Sequence, residues 1–196
     1  EERIEGVRPD HVPWGELVDV TTKIDGKSIT FYWHVDENGV ETRGVCGRTL
    51  EYQSDAINDY TQVQANHDVL NKLSAFCRAR GIRGLALRGE CHGRKIQASN
   101  QNPQSPLPLS LALFSTFVIG EGYAIRGHPL YIHTIAPEMG LPTVPVLEKD
   151  VPLTPELVRK YTEELETVGG NPFEGVVLVW DRGSCKCLNK SYDSKK

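Results

Sequence analysis

The sequence lacks the features that are typical of membrane, secreted and zinc-binding proteins. No apolar run among its 196 residues is long enough to cross a bilayer, and the start, Glu1–Glu5, is not a signal peptide. The five cysteines are odd in number and form no paired Cys-x-x-Cys motifs, and the six histidines show no His-x-x-x-His spacing. We therefore expect neither a zinc site nor a disulfide framework, but an intracellular, reducing compartment such as the cytoplasm.

Length and composition are those of one globular domain. The 196 residues, 39% of them hydrophobic and 24% charged, can bury a single core, and no internal repeat is visible. Because the chain begins without Met and ends in Asp-Ser-Lys-Lys, we interpret it as a processed chain or a domain of a longer protein. We expect one domain over residues 1–196, with residues 1–15 as an irregular lead-in.

The net charge of -4 argues against a nucleic-acid-binding protein, but the charges are unevenly distributed. The segment Lys72–Lys95 contains seven basic residues and one acid, Glu90, and Arg182–Lys196 adds five more basic residues. Acidic residues concentrate in Glu148–Glu166. This distribution fits a basic face for phosphates or an ordinary solvated helix face, and the sequence favours neither.

A short segment, Thr21–Lys27, lies between two runs with the alternation of half-buried strands, Glu16–Val20 and Ser28–Val35. In it, Asp25 lies two residues after Lys23, and a glycine comes next. Asp-Gly is a common hairpin turn, so the segment alone is most simply a turn. The alternative is a lysine nucleophile that attacks a phosphate and carries a nucleotide as a phosphoamide.

Two other predicted strands each carry one acid. In Leu85–Gly93, Glu90 lies beside glycines, which allow a ligand to come close, so this acid either pairs with an arginine or contacts a sugar or a metal. In the β-branched run Phe173–Trp180, Glu174 lies near the start. A carboxylate in so apolar a strand is costly unless it is paired or used.

Helical spacing predicts one long supporting helix over Ala56–Arg80 and another that begins at the N-cap Thr154 and runs to about Thr167. Between them, the proline-containing run Leu141–Leu147 resembles an edge strand. Residues 98–109 are polar and rich in proline, which predicts a mobile loop.

The buried strand pattern of Leu109–Ile119 contains two aromatic residues three positions apart, Phe114 and Phe117. An aromatic ring in such a strand is usually part of the core. Either ring could instead give a base a flat surface for stacking.

Together, these segments form six motifs in a characteristic order. They are Lys23-Ile24-Asp25-Gly26, Gly47-Arg48, Arg88-Gly89-Glu90 with Gly93, Phe114-Ser115-Thr116-Phe117, Phe173-Glu174-Gly175 and Cys185-Lys186. The series resembles the covalent-lysine nucleotidyltransferases, which include DNA ligases, RNA ligases and mRNA capping enzymes. The segments around Arg48, Lys95–Gln97 and Leu141–Pro145 are most similar to the RNA ligase 2-like branch.

The resemblance implies an α+β nucleotidyltransferase fold, with two mostly antiparallel sheets and flanking helices around a central ATP cleft. It implies that Lys23 is the catalytic residue, which attacks the α-phosphate of ATP and becomes lysyl-AMP. The AMP would pass to an RNA 5′-phosphate, and a 3′-hydroxyl would displace it to form a phosphodiester. Alternatives are a DNA ligase, a capping-type enzyme that uses GTP, and a non-catalytic RNA-binding module.

The resemblance also implies roles for residues around the lysine. Arg48 would contact the nucleotide and later the 5′-phosphate end, Glu90 the ribose, and Phe117 the adenine ring. Glu174 would lie near the metal, and Lys186 would contact the α-phosphate. The nucleotide-binding set implied in this way is Thr22, Arg48, Glu90, Phe117, Glu174 and Lys186.

The implied cofactors are ATP as AMP donor and Mg²⁺ or Mn²⁺, with Asp25, Glu90 and Glu174 holding the metal directly or through water. The implied partners are RNA ends or a nicked RNA duplex, with no membrane. We expect a monomer and a flanking domain, absent from these 196 residues, that contributes to nucleic-acid binding.

The sequence departs from the family pattern at two positions. Thr22 stands where many members have a glutamate before the nucleophile. Leu188 stands where some members have a second lysine, and Lys190 lies nearby but out of register. These departures and the absent domain put complete sealing in doubt more than self-adenylylation.

Overall fold

Alternation of side chains along the strands builds two sheets, each of which covers a hydrophobic core with one face and lines a shared cleft with the other. The computed structural model describes residues 2–7 and 11–192. Its strands are β1 (Glu2–Arg3), β2 (Leu17–Thr22), β3 (Lys27–Val35), β4 (Glu41–Cys46), β5 (Glu51–Tyr52), β6 (Gly84–His92), β7 (Ser110–Val118), β8 (Gly122–Ala124), β9 (Val146–Pro152), β10 (Thr167–Val168), β11 (Asn171–Pro172), β12 (Gly175–Trp180) and β13 (Gly183–Leu188).

Short helices flank the sheets. They are α1 (Asp59–His67), α2 (Val69–Arg80), α3 (Ile132–Glu138) and α4 (Pro155–Arg159), with a 3₁₀ turn at Ile4–Gly6 and a π-helical turn at Lys160–Glu164. In the part of the chain that the structure describes, no helix is long and apolar enough to cross a membrane. The five cysteines are all free thiols.

The larger sheet has the order β5-β4-β3-β6-β7-β8 and is antiparallel throughout. On β6, Leu85 and Leu87 are fully buried in a core that is shared with α1, α2 and α3. Successive side chains of a strand point to opposite faces, so Arg88 and Glu90 lie on the other face. This second face of the sheet is one wall of the cleft described below.

The smaller sheet has the order β1-β13-β12-β2-β9, in which only the β1–β13 pair is parallel among the described strands. Val18 and Val20 of β2 are fully buried in a second core with Tyr161 of the π-helical turn. Thr21 and Val177, which are paired across β2 and β12, are on the opposite face and form the other wall of the cleft.

Several local predictions need correction. The single helix expected over Ala56–Arg80 is two helices, because Asp68 between them adopts a left-handed backbone with φ 50°. The helix from Thr154 continues only to Glu164 and changes to π-helical hydrogen bonding at Lys160, although Thr154 caps it as expected. The strand expected at Leu141–Leu147 begins only at Val146.

The lead-in is less irregular than expected. Glu2 and Arg3 pair in parallel with Cys185 and Lys186, which places the start of the chain on the edge of the smaller sheet. The first residue and residues 8–10 of the lead-in lie outside the described residues.

Candidate active site

Two adjoining cavities lie along the cleft between the sheets, and the segment after β2 separates them. The larger has a volume of about 380 Å³ and the smaller about 280 Å³, and Thr22, Lys23 and Ile24 line both. Lys23 therefore stands at the junction of the two spaces. Thr22, which sequence comparison placed at the nucleotide, lies there as well.

The larger cavity has walls from both sheets. Its lining includes Glu90 and Arg88 of β6, Phe114 and Ser115 of β7, Tyr123 of β8, Val177 and Val179 of β12, and Arg182, Gly183 and Ser184 at the start of β13. The smaller cavity is lined by Asp25, Pro103, Gln104, Phe173, Glu174 and Tyr192 among others. The larger cavity thus has aromatic and aliphatic walls, and the smaller one holds two of the three expected metal-site acids.

Lys23 is fixed by its backbone and by its side chain. Its amide donates to the carbonyl of Gly175 at 2.9 Å, just beyond the end of β2. Its Nζ lies 2.7 Å from Oε2 of Glu174, and both side chains are mostly buried, with 24% and 18% of their surfaces exposed. The turn that follows needs a glycine, since a Cβ on Gly26 would lie 2.4 Å from the carbonyl oxygen of Cys91.

The charges of Lys23, Asp25 and Glu174 all act on the carboxyl group of Glu90. Burial raises the pKa of its carboxyl to about 7, and the negative charges of Glu174 and Asp25 act in the same direction, while Lys23 opposes them. These four groups come from three separate parts of the chain. The structure therefore brings together the lysine and all three acids that the sequence proposed.

Asp25 is held at two points. Its Oδ2 accepts a hydrogen bond of 2.9 Å from the hydroxyl of Tyr192, and its backbone carbonyl accepts one of 3.0 Å from Nδ2 of Asn102. Among the described residues, no group of three or more His, Cys, Asp or Glu side chains is close enough to form a ready-made metal site.

The aromatic wall of the larger cavity is Phe114, not the expected Phe117. The β6–β7 pairing slips by one residue, from Arg88 opposite Ser115 to Gly89 opposite Leu113, and this bulge leaves Phe114 between the two pairs. A bulge lets two successive residues face the same side, and both Phe114 and Ser115 line the cavity.

Phe117 contacts Tyr123 instead. The two rings meet edge to face, with centroids 5.1 Å apart, and Phe117 is not among the residues that line either cavity in the described chain. The register slip could not be read from the alternation of apolar residues, because the apolar pattern of β7 is continuous on both sides of it.

Two expected phosphate ligands lie outside the cavity linings. Arg48 is exposed in the turn between β4 and β5, and in the described chain it lines neither cavity. Lys186 is paired directly with Val177, a lining residue, so it lies on the cleft face of β13 beyond the edge of the larger cavity. Lys190, by contrast, is exposed and forms an ion pair with Glu163.

The structure adds Arg88 to the candidate site, a residue that the sequence analysis placed in a motif without giving it a role. Arg88 lines the larger cavity, and its guanidinium lies 6.0 Å from the Phe114 ring centroid and 5.5 Å from that of Tyr123, whose hydroxyl accepts its hydrogen bond. Its position two residues before Glu90 on the same strand was the available signal. Two other basic residues of the segment Lys72–Lys95, Arg78 and Arg80, instead form surface ion pairs with Glu41 and Glu138, respectively.

Comparison with solved structures supports the fold. A Naegleria gruberi RNA ligase variant with a lysine-to-alanine change, solved with ATP and Mn, matches with a TM-score of 0.79 and 23% identity, over 100% of this chain and 57% of that one. A glutamate-to-alanine variant of the same ligase with ATP and Mn matches with a TM-score of 0.80 and 22% identity, over 100% of this chain and 57% of that one. The ligase with PPi matches with a TM-score of 0.78 and 24% identity, over 98% of this chain and 55% of that one.

At these identities the likeness shows the fold alone, and it confirms the predicted α+β nucleotidyltransferase architecture. The chain spans a little over half the length of those structures. No curated protein sequence matches it. The RNA ligase family model, however, matches residues 16–192, which is most of the chain and contains all six motifs. The chain therefore belongs to the RNA ligase family.

Proposed function

We propose that this chain is the adenylyltransferase domain of an ATP-dependent RNA ligase. The observation that carries the proposal is the position of the Lys23 amine, which lies at the junction of two cavities and 2.7 Å from the Glu174 carboxylate. A lysine so placed can reach a phosphate that spans the junction. It becomes a nucleophile when its ammonium group gives up a proton.

The two cavities fit the two parts of ATP. The nucleoside would lie in the larger one, with its base on Phe114 and its ribose near Glu90, and the β- and γ-phosphates would extend into the smaller one. Attack by Lys23 then forms a bond from Nζ to the α-phosphorus and breaks the bond from that phosphorus to the bridging oxygen, which leaves with pyrophosphate. Naegleria gruberi RNA ligase has been solved with ATP and Mn, with AMP and Mn, and with PPi.

The acids beside Lys23 have separate tasks in this proposal. Glu174 already accepts a hydrogen bond from the amine, so it is placed to take up the proton that the amine releases. Together with Asp25 and Glu90 it offers the oxygen donors that Mg²⁺ or Mn²⁺ prefers, held through water. The bound ion would supply positive charge to the phosphate oxygens during the transfer.

The later steps involve nucleic acid and the rest of the enzyme. AMP would pass from Lys23 to an RNA 5′-phosphate, and a 3′-hydroxyl would then release it as the phosphodiester forms. RNA ends or a nicked duplex would be recognised by A-form shape and the 2′-hydroxyl rather than by base sequence. Arg48, exposed in the turn between β4 and β5, would meet the 5′-phosphate end, and Lys186 the α-phosphate.

The setting of the enzyme belongs to the same proposal. We infer a monomer that works with a flanking domain in nucleic-acid binding, since the matched structures extend well beyond this fold. The five free thiols, four of them buried, fit a reducing intracellular compartment.

An intact-mass measurement tests the proposal. The protein is incubated with ATP or GTP and Mg²⁺ or Mn²⁺, and its mass is compared with that of the untreated protein. We expect a gain of one AMP with ATP, no gain for Lys23→Ala, and the full gain for Lys190→Ala, whose lysine pairs with Glu163 at the surface.

Other results point to other functions. A gain of one GMP would identify a capping-type enzyme. Labelling of Lys23→Ala would show that another residue is the nucleophile. Retained RNA binding without a label from either nucleotide would favour a non-catalytic RNA-binding module.

A further inference from the structure

The loop that follows β6 is docked against the turn that carries Lys23. The loop comprises residues 93–109, between β6 and β7, and its part from residue 98 was expected to be mobile. At its two ends, the amides of Arg94 and Lys95 donate to the carbonyls of Leu107 and Ser105, each at 2.8 Å. The two ends of the loop are thereby tied together. Pro103 and Gln104, at its tip, line the smaller cavity opposite Glu174.

The loop holds a strained backbone. Arg94, Lys95 and Gln97 have positive φ values of 47°, 61° and 50°, although none is a glycine. Such left-handed residues cost on the order of 1–3 kcal/mol each and persist only where their surroundings fix them. A side chain at the centre of the loop supplies part of that restraint.

That side chain is Asn102, which is 2% exposed. Its Nδ2 donates to the backbone carbonyl of Asp25 at 3.0 Å and to that of Gln97 at 3.1 Å, and its Oδ1 accepts from the amide of Gln104 at 3.1 Å. The primary amide of Asn102 thus joins the turn that carries Lys23 to both halves of the loop. A carboxylate or an aliphatic side chain could not make the two donations.

We propose that Asn102 is a positioning residue for the adenylylation of Lys23, an inference that rests on the proposed function. The segment from Lys23 to Asp25 is held at one end by the carbonyl of Gly175 and at the other by Asn102 and Tyr192. Without Asn102, one backbone restraint on Asp25 is lost and the amine is held less firmly at the α-phosphate. A misplacement of about 1 Å can slow a reaction roughly 100-fold.

The location of Asn102 predicts which kinetic constant changes. In the described chain Asn102 is not among the residues that line the larger cavity, so nucleoside binding should be preserved. The loss should fall on the rate of lysyl-AMP formation at saturating ATP. A merely structural role would instead lower stability without a specific loss of this rate.

The experiment compares Asn102→Ala with Asn58→Ala in single-turnover adenylylation and in ATP binding. Asn58 caps α1, an element outside the loop and the Lys23 turn, by accepting from the amides of Tyr60 and Thr61, and its loss costs about 0.5–2 kcal/mol of stability. We expect Asn102→Ala to reduce the saturated rate roughly 10- to 100-fold with little change in ATP affinity. Asn58→Ala should lose stability and keep the wild-type rate.

Some outcomes would overturn the proposal. They are a wild-type rate in folded Asn102→Ala, a slow rate that saturating ATP restores, and an equal loss of rate in Asn58→Ala. If Asn102→Ala does not fold, Asn102→Ser, whose hydroxyl keeps one donor, is measured against the same criteria. Failure of the proposed function is a separate result, because the wild-type protein itself would then take up no AMP.

Discussion

The amine of Lys23 lies 2.7 Å from the carboxylate of Glu174, and 151 positions of sequence separate the two residues. The contact exists because β2 and β12 are neighbours in the smaller sheet, with Thr22 paired to Val176. Lys23 follows the first strand and Glu174 precedes the second, so the antiparallel pairing brings them to the same edge of the sheet. The Lys23–Glu174 pair is thus a product of strand order.

Replacement of Glu174 by Gln tests this pair. The variant keeps the size of the side chain but removes the charge that holds the ammonium and, in our proposal, the water shell of the metal. We expect adenylylation to fall roughly 10- to 100-fold, as is typical when a group that holds a metal indirectly is changed. Single-turnover labelling across a range of Mg²⁺ concentrations measures it. An unchanged rate at every Mg²⁺ concentration would remove Glu174 from the mechanism.

Phe114 and Phe117 offer a matched pair for the adenine platform. Phe114 lines the larger cavity, whereas Phe117 packs on Tyr123. Phe114→Ala should therefore weaken ATP binding by about 1–3 kcal/mol, the usual contribution of a base stacked on an aromatic ring. Phe117→Ala should leave the affinity close to that of the wild type. Calorimetric titration with ATP distinguishes them, and the reverse order of effects would restore Phe117 as the platform.

The raised pKa of Glu90 predicts how the stability of the metal-free protein depends on pH. Burial raises its pKa from 4.5 to about 7, so between these values the folded protein keeps a proton that the unfolded chain has released. The associated stability is present below pH 4.5 and is lost as the pH rises through 7. Since glutamine has no proton to lose, Glu90→Gln should become more stable relative to the wild type over this interval, by about 3 kcal/mol above pH 7.

Urea unfolding of both proteins with a chelator present measures the difference. The comparison cancels the titration of every group that the two proteins share. A constant difference from pH 4.5 to above pH 7 would mean that Glu90 is already ionised throughout this range.

The motifs could be predicted from the sequence, but the strand register and the tertiary hydrogen bonds could not. Lys23, Asp25, Glu90 and Glu174 were predicted because their motifs occur in the order of the family that the sequence resembles, whereas each motif alone had an ordinary structural explanation. Phe117 was assigned to the adenine from its place in the family motif. The structure puts Phe114 in the cavity lining instead, through a one-residue slip between β6 and β7 that leaves no mark on the apolar pattern of either strand. The proposed role of Asn102 could not be predicted, since it depends on two carbonyl groups and one amide that the fold brings around its side chain.

The far end of the cleft provides a test of how the two sheets are held together. Arg126 follows β8 of the larger sheet, is 16% exposed at its side chain, and forms ion pairs with Asp19, Asp150 and Asp181 of the smaller sheet or its connections. Asp19 is the buried partner, with 9% of its side chain exposed, whereas the other two are 67% and 63% exposed. Surface pairs of that kind contribute little.

Arg126→Ala should therefore act mainly by leaving the carboxylate of Asp19 buried without its cation. We expect a loss of about 3 kcal/mol in the free energy of unfolding, as for other buried pairs that lose one partner. Asp181→Asn removes an exposed partner and should cost less than about 1 kcal/mol. The double variant Arg126→Ala with Asp19→Asn should regain part of the loss, because no buried charge then remains unpaired. Equal losses in Arg126→Ala and Asp181→Asn would show that the buried pair does not join the sheets.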